Sequence, residues 1–283
     1  MAKLDKTMDE IIKLADIYVN EKSFDVYYNR IDKHINFPYP LKMPEYISPP
    51  AWKKTIYPYW TWLSFEISER IKVLDFCWRE SGDIIYFEKA KKIIEEVCKW
   101  PRWQEFEDKS PIIFTAQMGI TISEFVHYNI AKLSKEESKL FFTALDKKAI
   151  KPLYLALKQA QHHNWNMPII QAASLGVCIL VLSNYSFKKY NKALLFSKRI
   201  IYSELDKRNK GVGVNSLLKF FFTPLRHPFK FVNNSLGYTE GLTYDSFSFD
   251  FIIKFANFLS EIKDDRALID HNFINNIIQY IPL

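Results

Sequence analysis

Apolar side chains recur at helical spacing along most of the chain. In one early segment they stand three or four residues apart, at Ile11, Leu14, Ala15 and Tyr18. This spacing places them on one face of an amphipathic helix. The same pattern predicts further helices at 62–79, 84–99, 111–132, 135–161, 167–184, 187–208, 214–222, 244–262 and 266–280. We therefore predict an all-α protein built from antiparallel helix pairs with short turns.

Two local signals place the turns between these helices. The Ser81-Gly82-Asp83 stretch interrupts the apolar pattern and is typical of a turn. Ser134 and Glu137 have the spacing of a capping box, in which each side chain bonds to the backbone N–H of the other residue. The capping box predicts that a helix begins at residue 135.

The segment 24–58 differs from the rest of the chain. It is rich in aromatic residues and in prolines, including Pro38, Pro40, Pro44, Pro49 and Pro50. Proline lacks a backbone N–H and clashes with the preceding turn of a helix, so this segment cannot form a long helix. We predict an irregular segment that wraps over the surface of a single domain spanning residues 1–283.

One helix, over residues 168–182, is apolar on nearly every side. A helix with this pattern is buried all round. Ala172, Ala173 and Gly176 are small enough to let neighbouring helices approach closely. We predict an inner helix with more amphipathic helices outside it. The apolar run is too short for a membrane span, so we expect no membrane insertion.

Composition narrows the class of protein. Only 7 glycines occur in 283 residues, whereas an all-β protein of this length would need more turn glycines. The 23 Phe and 16 Tyr argue against disorder. The net charge of +7 suits an anionic partner, but no nucleic-acid-binding motif accompanies it. The start of the chain does not have the pattern of a signal peptide, which predicts a cytoplasmic protein, or a periplasmic one if a targeting segment has been removed.

The strongest candidate for chemistry is the stretch His162-His163-Asn164-Trp165-Asn166, directly before the inner helix. The start of a helix offers unpaired N–H groups and the positive end of the helix dipole, which suit a carboxylate or sulfate. The alternative interpretation is that Asn164 or Asn166 only caps the helix and the histidines are exposed.

Two later segments are weaker candidates. In the stretch from Leu236 to Tyr244, two glycines bracket Tyr238 and Glu240, which favours a loop that projects side chains into a cleft. Arg226 and His227 could supply positive charge to an anionic ligand. The alternatives are an ordinary loop and a basic surface loop, respectively.

Several other activities lack their sequence signals. No phosphate-binding glycine loop, G-x-S-x-G turn or H-E-x-x-H zinc motif is present, and Cys77, Cys98 and Cys178 lack metal-ligand spacing. We therefore expect no metal and no cofactor. A glycoside hydrolase would need two facing carboxylates, for which Glu240 with Asp245 or Asp250 would be the candidates.

Several segments, in order, resemble the α/α-toroid domain of heparinase II/III-like polysaccharide lyases. They cover roughly residues 60–262. They are Trp60-Thr61-Trp62, Ser81-Gly82-Asp83 with Tyr86, Thr115-Ala116, Leu133-Ser134-Lys135-Glu136-Glu137, Asn164-Trp165-Asn166 and Tyr238-Thr239-Glu240-Gly241-Leu242-Thr243-Tyr244. The resemblance departs from the family at Ser235-Leu236, where an Asp-Gly pair is usual. It implies a toroid of helical hairpins with inner and outer layers. Because the family's toroid is followed by a β-sandwich, a partner chain supplying such a sandwich is one expected partner.

The resemblance also implies β-elimination on a uronic-acid polysaccharide. In that mechanism Asn164 would neutralise the uronate carboxylate and so acidify the neighbouring C5 proton. His163 or Tyr244 would remove this proton, and a tyrosine, for which Tyr244 is the first choice, would protonate the leaving oxygen.

The remaining carried-over residues would bind the substrate. They are Trp60, Trp62, Trp165, Arg226, His227, Tyr238 and Glu240. Two alternatives to a lyase stay open: a toroid that binds an anionic glycan or a protein without catalysis, and a glycoside hydrolase on a similar barrel of helical hairpins.

Overall fold

The computed structural model describes the backbone of residues 2–28, 32–45, 59–104, 113–160, 166–185, 190–209, 236–267 and 270. Side chains are described in these ranges except at 2–6, 59, 166, 204, 207–209, 236–247 and 249. The described chain is mostly helical, which confirms the predicted all-α class. Its contacts form two compact units, Met1–Lys151 and Pro152–Leu283. The single domain over residues 1–283 stays a prediction.

The described helices follow one another in the order predicted from the apolar pattern, and two strands that were not predicted lie between the first two of them. The first unit contains α1 (Ala2–Asn20), β1 (Ser23–Tyr28), β2 (Lys33–Pro38), α2 (Tyr59–Ser81), α3 (Ile84–Lys99), α4 (Ile113–Asn129) and α5 (Lys135–Ala144). The later helices are α6 (Lys151–Gln159), α7 (Asn166–Asn184), α8 (Asn191–Asn209) and α9 (Leu236–Lys263). The helices predicted at 214–222 and, for the most part, 266–280 lie outside the described residues.

Two helix starts follow directly from capping side chains. Asp83 caps α3 by accepting a hydrogen bond from the N–H of Ile85 at 3.0 Å. The predicted capping box is confirmed: Ser134 Oγ accepts from Glu137 N at 3.1 Å, and Glu137 Oε2 accepts from Ser134 N at 2.7 Å. Gly82, between α2 and α3, has φ +73, a conformation that glycine adopts without strain.

The helix predicted over 135–161 has a wider turn in its middle. The backbone stays helical from Lys135 to Gln159, but Leu145–Ile150 form a π-helical turn between α5 and α6. A π turn accommodates one extra residue. Leu145, Ala149 and Ile150 are buried at this turn, so the extra residue keeps them on the core side.

The prediction of an irregular segment over 24–58 is wrong for its first part. Strands β1 and β2 form an antiparallel hairpin in which Val26 pairs with Ile35. Every second residue of β1 is buried, at Phe24, Val26 and Tyr28, which is the period of a half-buried strand. The pairing ends at Pro38, where the prolines begin.

The guanidinium of Arg70, on α2, holds the hairpin and the end of α1 in place. Its Nε donates to Glu21 Oε1 at 2.6 Å and its Nη1 donates to Glu66 Oε2 at 2.8 Å. It also lies 4.0 Å from the ring centroid of Phe24. The hydroxyl of Tyr39 donates to the same Glu21 carboxylate at 2.9 Å. A buried charge with several charge-assisted partners ties three segments together.

Helix α4 is buried on nearly every side, which the sequence analysis did not predict. Two of its polar side chains bond to α2 inside the core: Thr121 Oγ1 donates to Ser68 Oγ at 2.9 Å, and Asn129 Nδ2 donates to Asp75 Oδ1 at 2.6 Å. The indole N–H of Trp78 donates to Asn129 Oδ1 at 2.9 Å. These bonds join α4 to α2.

In the second unit α7 is the inner helix, as predicted, and it packs against α8 and α9. Gly176 touches Phe255 of α9 so closely that a Cβ at 176 would lie 2.3 Å from Phe255 Cε2. Its bounds, Asn166–Asn184, agree with the predicted helix at 167–184 to within one residue. Among the described residues, Met167–Asn184 is the one stretch long and apolar enough to cross a membrane, and 83% of it is buried inside the protein. Burial to that extent is typical of a core helix.

Replacing Gly176 with Ala is expected to lower the free energy of unfolding by about 1–3 kcal/mol, because the added methyl group overpacks the contact with Phe255. In an ordinary helix the same change stabilises, by roughly 1 kcal/mol. Urea denaturation measures the difference. In a Phe255→Leu background the penalty should shrink, and an equal penalty in both backgrounds would contradict the contact.

Asp75 should make stability depend on pH. Burial raises the pKa of this carboxyl, and Asn129 and Arg79 oppose the rise only in part. Since the folded-state pKa exceeds the unfolded-state value, the stability contributed by Asp75 is present at low pH and is lost as pH rises through the folded-state pKa.

The measurement compares the wild type with Asp75→Asn by urea denaturation at a series of pH values. We expect the stability of the wild type relative to the variant to fall as pH rises above the usual carboxyl range. An exposed change, Asp9→Asn, serves as the control. A relative stability that rises with pH would show that the sign is wrong.

Candidate functional site

Most of the predicted catalytic stretch lies outside the described residues. This is true of His163, Asn164 and Trp165, and of the basic pair Arg226 and His227. The backbone becomes described at Asn166, where α7 begins. The predicted roles of His163, Asn164 and Trp165 stay predictions.

The loop predicted from Tyr238 to Tyr244 is wrong, because these residues form the first turns of α9. Glycine destabilises a helix interior by roughly 1 kcal/mol relative to alanine. Packing of apolar side chains elsewhere in the helix can offset this cost. The rest of α9 is rich in phenylalanine, and Phe251 and Phe255 are fully buried. Only the backbone of Tyr238, Glu240 and Tyr244 is described, so their predicted roles stay predictions.

The two tryptophans of the Trp60-Thr61-Trp62 segment have different environments. Trp60 is 1% exposed, and its ring packs against Phe114 and Trp100 with centroids 5.3 and 6.4 Å apart. The ring therefore has a core role and no open face for a sugar. Trp62 is 37% exposed and contacts Phe65, so its ring is the more accessible of the two.

A cleft that the sequence analysis missed lies between residues 40–43 and the C-terminal half of α3. Its volume is about 420 Å³. The lining residues are Pro40, Leu41, Lys42, Met43, Lys92, Glu95, Glu96, Lys99, Trp100 and Pro101. We call it the α3 cleft. A second groove of about 570 Å³ adjoins it along α3, since Lys92 and Glu95 line both.

Hydrogen bonds hold the floor of the α3 cleft in place. The buried carboxylate of Glu96 accepts from the N–H of Leu41 at 2.7 Å. The indole N–H of Trp100 donates to the carbonyl of the same residue at 3.0 Å. Both backbone groups of Leu41 are thus bonded to α3 and the residue after it, which fixes the 40–43 segment against the helix.

Lys148, from the π-helical turn, closes the end of α3. Its ammonium donates to the carbonyls of Cys98 and Trp100. A cation at this position pairs with the negative end of the helix dipole. Partial burial lowers the pKa of Lys148, and full burial raises the pKa of the Cys98 thiol. Cys98 is therefore a protonated core thiol.

Charged side chains surround the opening of the α3 cleft. Lys42 and Lys92 are exposed and have no acidic partner among the residues that the structure describes. Lys99 Nζ lies 3.8 Å from Glu95 Oε2, which makes a loose ion pair that is open to solvent. The carboxylate of Glu96 is buried and accepts a hydrogen bond from the N–H of Leu41. The cleft therefore presents more available positive than negative charge.

The sequence contained a partial signal for this cleft. Lys92 and Lys99 are seven residues apart on a predicted helix, so they share a face. Nothing in the order of residues, however, shows that Leu41 reaches a glutamate 55 positions later. Contacts over such a separation are set by tertiary packing alone.

The described side chains contain no group of three or more His, Cys, Asp or Glu residues that could hold a metal ion. Comparison with models of known protein families finds no match, and neither does comparison with curated proteins. The resemblance to heparinase II/III-like lyases therefore stays a prediction.

Replacing Glu96 with Ala is expected to cost about 1–3 kcal/mol of stability, because the buried N–H of Leu41 loses its acceptor. Glu96→Gln keeps an amide oxygen at that position and should cost less. Urea denaturation ranks the two variants, and hydrogen exchange at the Leu41 amide should be faster in the alanine variant. Equal stability and equal exchange would contradict this role.

Proposed function

We propose that this protein acts on an acidic, uronic-acid-containing polysaccharide by β-elimination, as heparinase II/III-like lyases do. The observation that carries the proposal is the position of α7. This buried helix begins at Asn166, two residues after Asn164 in the sequence. Its first N–H groups and dipole favour a carboxylate at the residues that the resemblance assigns to catalysis.

The chemistry requires that a weakly acidic proton be removed from C5 of the uronate. Neutralisation of the carboxylate by Asn164 and the helix end stabilises the carbanion-like state that forms. His163 or Tyr244 takes the C5 proton, the C4–O bond breaks, and Tyr244 returns a proton to the leaving oxygen. A C4–C5 double bond remains in the product, so no external oxidant, metal or cofactor enters the balance.

A toroid of helical hairpins is the finer fold that we propose. Each unit has a helix buried nearly all round, α4 in the first and α7 in the second. More amphipathic helices pack against each, α2 and α5 on α4, and α8 on α7. An alternation of inner and outer helices of this kind is what hairpin toroids need.

Substrate binding in the proposal uses Trp62, Trp165, Tyr238, Glu240, Arg226 and His227. The net charge of +7 favours an acidic glycan electrostatically. A partner chain that supplies a β-sandwich is a further part of the proposal. The alternative, a binding module without catalysis, shares the ligand but not the bond cleavage.

The decisive assay incubates the protein with polyuronates and sulfated uronate-containing glycans and follows the ultraviolet absorbance of the unsaturated uronate. We expect product from at least one of them. Asn164→Ala and Tyr244→Phe should each reduce the rate by about 100-fold or more, since each removes a group that acts in the transition state.

Matched controls are Asn20→Ala and Tyr128→Phe, which alter exposed residues of α1 and α4 and should leave the rate unchanged. Binding of a glycan without any unsaturated product would exclude the lyase and favour the binding module. Reducing ends without unsaturation would favour the glycoside hydrolase.

A further inference from the structure

The α3 cleft has the features of a preformed binding site. Its volume of about 420 Å³ falls within the range of small-ligand sites, about 300–1,000 Å³. Glu96 and Trp100 fix the backbone of Leu41, and Lys148 fixes the carbonyl of Trp100. The floor therefore does not need to rearrange when a ligand enters, which lowers the entropic cost of binding.

We propose that the α3 cleft binds a short segment of an acidic oligosaccharide through Lys42, Lys92 and Lys99. The choice of an acidic glycan as ligand rests on the proposed function, whereas the site itself rests on the geometry of the first unit.

The arrangement of the lysines suits a repeating anion. Lys92 and Lys99 are two helical turns apart, about 10.5 Å along the axis of α3. This distance is close to the length of two sugar units, so alternate carboxylates of a uronate chain can reach both ammonium groups. Lys42 lies on the opposite wall of the cleft, on the 40–43 segment.

The floor favours a sugar over a nucleic-acid base. Its accessible apolar residues are Pro40, Met43 and Pro101, whereas the one aromatic ring of the lining, Trp100, is only 4% exposed. Proteins that bind single-stranded nucleic acid stack the bases on exposed aromatic rings. Aliphatic and proline surfaces can instead cover the apolar faces of sugar rings.

Glu95 allows a second test, in which the expected change in affinity is opposite to that of the lysine variants. Its carboxylate lies between Lys92 and Lys99 on the same wall and pairs loosely with Lys99. It repels a bound uronate, so Glu95→Gln should strengthen binding whereas loss of the lysines weakens it. A purely structural effect of substitution would not reverse sign in this way, and Lys135→Gln controls for the general effect of changing the net charge.

The experiment measures binding of fluorescent tetrasaccharides of galacturonate and of mannuronate by anisotropy, in an Asn164→Ala background that prevents cleavage. We expect the paired change Lys42→Gln and Lys92→Gln to raise Kd at least about fivefold. Glu95→Gln should lower Kd. Lys135→Gln, which removes an exposed lysine at the start of α5, should leave Kd unchanged.

Several results would overturn the proposal that the α3 cleft binds an acidic oligosaccharide. Unchanged Kd in the double lysine variant overturns it, as does a neutral maltotetraose that binds equally well. Equal or tighter binding of a single-stranded DNA hexamer, a tetraglutamate peptide or inorganic phosphate, with the same dependence on Lys92, also overturns it.

The two proposals fail separately. If uronate cleavage requires Asn164 but the lysine variants bind normally, the cleft proposal fails and the proposed function stands. If no glycan is cleaved while tetrasaccharide binding depends on the lysines, the lyase fails and the cleft stands.

Discussion

Helices α4 and α7 are apolar on nearly every face, and such helices avoid water only when other helices cover them on all sides. The remaining elements of each unit satisfy this constraint. In the first unit α2 and α5 pack against α4, and in the second α8 and α9 pack against α7. The hydrophobic effect supplies the driving force, at about 25 cal/mol per Å² of apolar surface removed from water. The tight contact between Gly176 and Phe255 shows how closely α9 packs against α7.

Burial of this extent requires that the polar groups carried into the core be bonded there. Thr121 with Ser68 and Asn129 with Asp75 meet this requirement between α2 and α4. The same principle operates at the edge of the core, where Arg70 joins the hairpin and α1 to α2. It also shapes the α3 cleft, because the Glu96 and Trp100 bonds that satisfy Leu41 hold the cleft floor.

The two functional proposals use the same electrostatic logic at different places in the chain. At the start of α7 the positive end of a helix and neutral side chains would hold a carboxylate next to the bond that breaks. At the α3 cleft exposed lysines would hold other carboxylates of a similar chain without chemistry.

The sequence by itself determined most of the helices, because apolar periodicity and capping are local properties. The capping box at Ser134 and the inner helix around Gly176 are examples. Local signals misled at two places. The alternation of Phe24, Val26 and Tyr28 stands before a proline-rich stretch and was read as part of it, yet it forms a hairpin strand that packs on α2. The glycines around Glu240 suggested a loop where α9 is helical.

The α3 cleft was decided by tertiary structure alone. Leu41, Glu96 and Lys148 meet although they are distant in sequence, and no local periodicity encodes such a meeting. Which lysines face a cleft and which face open solvent likewise depends on the packing of α3 against the 40–43 segment. Side chains of the same type, at the same helical spacing, differ in role because of what the fold places opposite them.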